Sequence, residues 1–205
     1  MSSFAELVQR AQRSLAADYA PGRKVFRQIL GLVEKPEELE VATQLQKEFH
    51  KRFVPLSKPT WSLYIQACMR AQRFDRVLEL LRKPDEFGCR GLIATKALRS
   101  TVAELHDAGA IEQLREAAHH AQALAPALVS DILRRLVQLD AIEVVLKTLE
   151  KCPPRSVRPS HFTMIASVLN KRSDKAAIPQ VLELLRNKGL EPNRGLAELA
   201  RATVQ

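Results

Sequence analysis

The chain has 205 residues, 46% of them hydrophobic, with seven glycines and a formal net charge of +9 from 32 basic and 23 acidic side chains. That apolar content can bury a sizeable core, and the few glycines beside abundant Leu, Ala, Glu, Lys and Arg favour helix over sheet. Three widely spaced cysteines (Cys68, Cys89, Cys152) without a C-x-x-C pair argue against a disulfide framework or a zinc site and suggest a reducing compartment.

In chain order, residues 1–21 read as an amphipathic segment. Phe4, Leu7, Val8, Ala11 and Leu15 share one helical face, with Arg10 and Arg13 elsewhere. A mitochondrial presequence and a first structural helix both produce this pattern; Glu6 and Asp18 count against a strong presequence. No apolar run approaches the roughly 18–20 residues needed to span a bilayer. Strand-favouring residues never line up in sustained alternation, so no strand is expected.

The string VLELLR occurs at 77–82 and again at 181–186, 104 residues apart. Each copy follows a basic-Pro-Ser/Thr start, an aromatic (Trp61, Phe162), an apolar pair in the next turn (Leu63 and Ile65, Met164 and Ile165) and a basic end. The pattern describes a helical hairpin of about 35 residues, and the same period predicts hairpins in the rest of the chain. First helices are expected over 22–34, 60–73, 92–109, 127–140 and 160–173. Second helices are expected over 35–50, 74–86, 110–125, 141–152 and 174–188. A hairpin of this kind cannot bury its apolar faces alone, so the repeats at 22–57, 58–91, 92–126, 127–156 and 157–193, with a cap at 194–205, should stack into one core. Ala67, Ala103 and Ala166 are the small residues expected where first helices approach, and Cys68 falls on an apolar stripe. Within the doubled string, Glu79 with Arg82 and Glu183 with Arg186 are expected as exposed pairs at i, i+3.

The phrase RNKGLEPN (Arg186 to Asn193) is similar to the end of a pentatricopeptide repeat, a basic-Gly-apolar-x-Pro-Asp/Asn turn. The openings Thr60-Trp61-Ser62-Leu63-Tyr64-Ile65 and Ser160-His161-Phe162-Thr163-Met164-Ile165 resemble that family's aromatic start. The resemblance covers roughly a third of the chain, in the repeats at 58–91 and 157–193; the middle repeats lack the aromatic opening, and one is only 31 residues. It implies an all-α fold, a right-handed α-solenoid of about five helix-turn-helix hairpins, in an organelle, the mitochondrial matrix first. It also implies single-stranded RNA along the inner face, with Ser62, Thr163 and Asn193 at the positions that read bases in the family.

Charge adds an independent indication. The first helices carry a net +6 and the second helices −3. If first helices line the inner surface, Arg23, Lys24, Arg27, Arg70, Arg73, Lys96, Arg99, Arg134, Arg135, Lys171 and Arg172 are the candidate phosphate contacts. Asp131 is placed to pair with Arg134 or Arg135. Cations without interleaved exposed aromatics suit the RNA backbone better than a base-stacking platform.

No phosphate-cradling glycine loop, zincin helix or nucleophile elbow occurs. His119-His120 lies mid-helix with side chains about 100° apart, and His106-Asp107 precedes Gly109 at a helix end. No catalytic constellation, metal site, cofactor or small-molecule substrate is expected. The repeats are few for autonomous targeting, and the charge is high for a pure scaffold. The expected role is therefore structural, in an organellar ribosome or ribonucleoprotein, binding rRNA backbone and neighbouring proteins. An organellar RNA-binding factor for transcript processing or translation, and an accessory scaffold of a respiratory complex, stay open.

Overall fold

The computed structural model describes residues 3–17 and 22–204. Among the described residues it is all helix, with twelve α-helices, two single-turn 3-10 segments and no strand. Two compact units are formed, Met1–Thr101 with Glu116–Ala123, and Val102–Arg115 with Leu124–Gln205.

The first unit contains α1 (Phe4–Ala16), α2 (Arg23–Leu32), α3 (Pro36–Lys51), α4 (Lys58–Arg70) and α5 (Phe74–Arg82). Ser3 starts α1 with a capping box: its hydroxyl accepts from the Glu6 amide at 3.3 Å while the Glu6 carboxylate accepts from the Ser3 amide at 3.1 Å. The apolar face foreseen for residues 1–21 buries Leu7, Val8 and Ala11, and α1 packs on α2. In turn α2 packs beside α3 and α4, and α4 pairs with α5. Phe26 and Phe49 meet at 5.2 Å between ring centroids, and Trp61 and Tyr64 meet edge-on at 5.8 Å. The buried Tyr64 hydroxyl has its partner in Thr43, at 2.8 Å. Each such side chain, fully buried, contributes about 1.5–3 kcal/mol of transfer free energy.

Two further helices, α6 (Thr95–Glu104) and α7 (Ala108–His120), carry the division between the units. The expected range 92–109 is thus shortened at both ends. Asp107 does not close the first helix but starts the second: its carboxylate accepts from the Ala110 amide at 2.6 Å. His119 and His120 fall in the last turn of α7 rather than in its middle, both exposed.

The second unit continues with α8 (Pro126–Gln138), α9 (Ile142–Lys151), α10 (Pro159–Lys171), α11 (Ile178–Asn187) and α12 (Arg194–Val204). Here α8 pairs with α9 and α10 with α11; α8, α10 and α12 lie in succession, and α9 lies beside α11. Of the segment 194–205 expected as a cap, the described residues supply α12, which packs against α10. Leu128, Val129, Ile132, Leu133, Leu136, Phe162, Ile165, Leu169, Val181 and Leu185 form the core.

The same turn recurs between paired helices. Gln72, Asp140 and Ser173 follow α4, α8 and α10 in the left-handed region, at φ 55°, 61° and 61°. In each case the next amide reaches back five residues, as Arg73 to Cys68, Ala141 to Leu136 and Asp174 to Leu169, at 2.8, 3.0 and 3.0 Å. This is a Schellman closure, which satisfies the orphan carbonyls at a helix end.

Two packing expectations are corrected. Ala67 and Ala166 are fully buried, but Ala103 is exposed, and Ala97 is the buried small residue of α6. Glu79 pairs with Arg76 at 2.6 Å instead of Arg82, because Arg76 is also held by Glu40 of α3. Among the described residues, no helix is long and apolar enough to cross a membrane.

Candidate nucleic-acid interface

Many of the cations singled out from the sequence are engaged within the protein. Arg70 ends α4 and donates to the Val33 carbonyl at 3.0 Å and to the Leu30 carbonyl at 2.6 Å, closing the end of α2. Arg135 does the same in the second unit, donating to the Leu105 carbonyl at 2.7 Å and to His106 Nδ1 at 2.6 Å. Arg172 donates to the Asp140 carboxylate just beyond α8. Second helices use the same device: Arg52 reaches the Leu15 carbonyl at 3.0 Å, and Lys188 reaches the carbonyls of Glu150 and Cys152. Each cation sits at a helix C-terminus and satisfies groups at the C-terminal end of an element 30 to 40 residues earlier. There it also opposes the negative end of the helix dipole.

Arg73 is held by Glu40 at 2.9 Å and Asp75 at 2.8 Å, within a cluster that includes Arg76 and Glu79. Arg76 beside Glu40 holds that carboxyl below its usual range. Arg134 is the partner of Asp131, at 3.6 Å. Arg99 is exposed and engaged in interactions of its own.

The remaining candidates, Arg23, Lys24, Arg27, Lys96 and Lys171, are exposed, and their cationic groups have no acceptor among the described residues. Arg27 and Lys96 come together. They line a groove of about 430 Å³ in the first unit with Lys58, Ser62, Gln66 and Ser100, and no carboxylate lines it. The groove runs along α2, α4 and the start of α6, which are first helices. Ser62 and Ser100 donate to the carbonyls of Lys58 and Lys96 at 3.1 and 3.3 Å, leaving hydroxyl oxygens able to accept.

Lys58, Gln66 and Ser100 escaped the sequence reading. A signal was present for Lys58. It is the first residue of α4, where the helix dipole is positive, and α2, α4 and α6 have no acid in their first turns. By contrast, α3 opens with Glu37 and Glu38, α5 with Asp75 and α9 with Glu143. A cation at a helix N-terminus costs about 0.3–1 kcal/mol. Cations and dipoles of one sign, with no counter-charge, give the groove a positive potential.

Of the three positions that would read bases in the pentatricopeptide family, two are bonded to each other. Thr163 donates to the Asn193 side-chain oxygen at 2.8 Å, and the same oxygen accepts from the Leu196 amide at 3.0 Å, capping α12. Ser62 lines the cationic groove.

A Ser–His pair occurs in the second unit, with Ser130 Oγ 2.8 Å from His161 Nε2. The Arg158 amide donates to Nδ1 at 3.1 Å, so the hydrogen resides on Nε2 and points at the serine. That tautomer cannot take the serine proton; the pair ties α8 to α10. All three cysteines are buried free thiols, with burial pushing Cys68 and Cys89 up to about 12 and Cys152 to about 11. They are unreactive core residues.

Comparison with protein-family models gives no match for the chain, and comparison with curated proteins gives none either.

Proposed function

We propose that this chain is a pentatricopeptide-like helical-repeat protein, a right-handed α-solenoid that serves as a structural component of an organellar ribosome or ribonucleoprotein, the mitochondrial matrix first. It seats an RNA backbone in the first unit's groove and contacts neighbouring proteins elsewhere. The observation that carries the reading is the convergence of Arg27, Lys58 and Lys96 in a groove without a carboxylate. Hydrogen bonds spanning about one repeat, from Arg70 to Leu30 and from Lys188 to Glu150, support the solenoid. Backbone binding is preferred to base reading because Thr163 and Asn193 bond to each other and to α12. No catalytic role is part of the reading.

Sedimentation of native cell extract tests the assembly. The chain is expected to travel with organellar ribosomal subunits at raised salt and to be released by nuclease. Retention at the top of the gradient would remove the ribosomal assignment. Nuclease-indifferent association with other proteins would favour the respiratory-complex scaffold instead.

A further inference from the structure

We propose that the cationic groove of the first unit tells a ribose strand from a deoxyribose strand, with Ser62 and Ser100 accepting hydrogen bonds from ribose 2′-hydroxyls beside the phosphates held by Lys58 and Lys96. The inference rests on the backbone-binding reading above and names the chemistry that the same groove selects.

The polar lining of the groove is built twice on one plan. In α4, Lys58 is followed one turn later by Ser62; in α6, Lys96 is followed one turn later by Ser100; all four line the groove. Residues at i and i+4 share a helix face, with about 5–6 Å between their Cβ atoms. Gln66 extends the α4 row by one more turn. Both lysines, Ser100 and Gln66 are exposed, and Ser62 is half-buried.

The two serines are in the same hydrogen-bonding state. Ser62 donates to the Lys58 carbonyl at 3.1 Å and Ser100 to the Lys96 carbonyl at 3.3 Å. A carbonyl can only accept, so each hydroxyl hydrogen is committed to the backbone and each oxygen offers a ligand its lone pairs. Phosphate oxygens are acceptors too. They pair with the lysines and not with these hydroxyls, which call for a donor on the ligand. A nucleic acid carries donors on its base edges and, in RNA, at the 2′-hydroxyl. Base donors change from one base to the next, whereas the 2′-hydroxyl is on every ribonucleotide and adjoins its 3′-phosphate. A lysine and an acceptor one turn apart on one helix face match that phosphate and hydroxyl, and the match is made on two helices. No carboxylate lines the groove, so no stronger acceptor competes for the donor. The Gln66 amide, without a partner among the described residues, can donate or accept along the same row.

The full chain is titrated at low salt with one structureless sequence in three forms: RNA, the 2′-deoxy strand and the 2′-O-methyl strand. The methyl ether keeps the oxygen and an RNA-like sugar pucker but has no hydrogen to donate. RNA should bind about tenfold more tightly than the deoxy strand, as two hydrogen bonds allow, with the methyl ether near the deoxy strand. Ser62→Ala/Ser100→Ala should bring RNA down to the deoxy affinity and leave the deoxy strand and the salt slope unchanged. Alanine is the best helix former, so the variant folds. Three outcomes overturn the proposal: equal affinity for RNA and the deoxy strand, a methyl ether that binds as tightly as RNA, or an RNA preference that survives in the double serine variant. In each of these Arg27→Gln/Lys58→Gln/Lys96→Gln still weakens binding of every strand. Failure of the backbone reading looks different, as binding that this triple variant does not weaken, and it would remove the present inference as well.

Discussion

Thr163 of α10 and Asn193, the cap of α12, are joined by a 2.8 Å hydrogen bond. Two positions 30 residues apart that would face a base in a pentatricopeptide protein instead hold two helices of the second unit together. Asn193 also accepts from the Leu196 amide. Asn193→Ala should cost about 1 kcal/mol by loss of the cap. Thr163→Ala should cost less, and the double variant less than the sum. Urea unfolding of the four proteins measures this coupling. RNA sequence preference should be the same in all of them.

Arg70 is a basic residue with an internal task. Arg70→Gln removes the charge and the fork that closes α2 at Val33 and Leu30. The expected loss is about 1 kcal/mol of stability. RNA affinity of the folded fraction should be unchanged, which separates Arg70 from the groove cations in one pair of measurements.

His161 gives the second unit a pH dependence. Burial, with Arg158 nearby, lowers its pKa from the ordinary value. Below about pH 6.5 the unfolded chain therefore takes up a proton that the native imidazole refuses. Stability is full above that value and declines as pH falls through it. The stability advantage of the native protein over His161→Gln should shrink as pH falls below about 6.5, measured by urea unfolding at a series of pH values. An advantage that grows on acidification would show that the buried histidine is stabilised as a cation.

The hairpin register was legible from VLELLR, since Leu78, Leu81 and Leu185 are core residues whose spacing a helix dictates. The ends of α4, α5, α8, α9, α10 and α11 fall within a few residues of the expected ranges. Partner choice was not legible. Arg70, Arg135 and Arg172 differ in no local respect from Lys171, yet only their positions bring them to C-terminal groups of an earlier helix. Glu79 had Arg76 and Arg82 at equal separation, and the presence of Glu40 beside Arg76 decided between them. Phe53 read as an ordinary apolar residue near a helix end. Only the left-handed turn after α3 turns it outward, and the exposed aromatic thought absent is there.

The central claim is that Arg27, Lys58 and Lys96 bind RNA phosphates. The direct measurement is the slope of log affinity against log salt for a structureless single-stranded RNA, compared between the native chain and Arg27→Gln/Lys58→Gln/Lys96→Gln. With about 0.7 per neutralised phosphate, three lost contacts should make the slope shallower by about 2 and weaken binding at low salt. An unchanged slope and affinity in a folded triple variant would contradict the account.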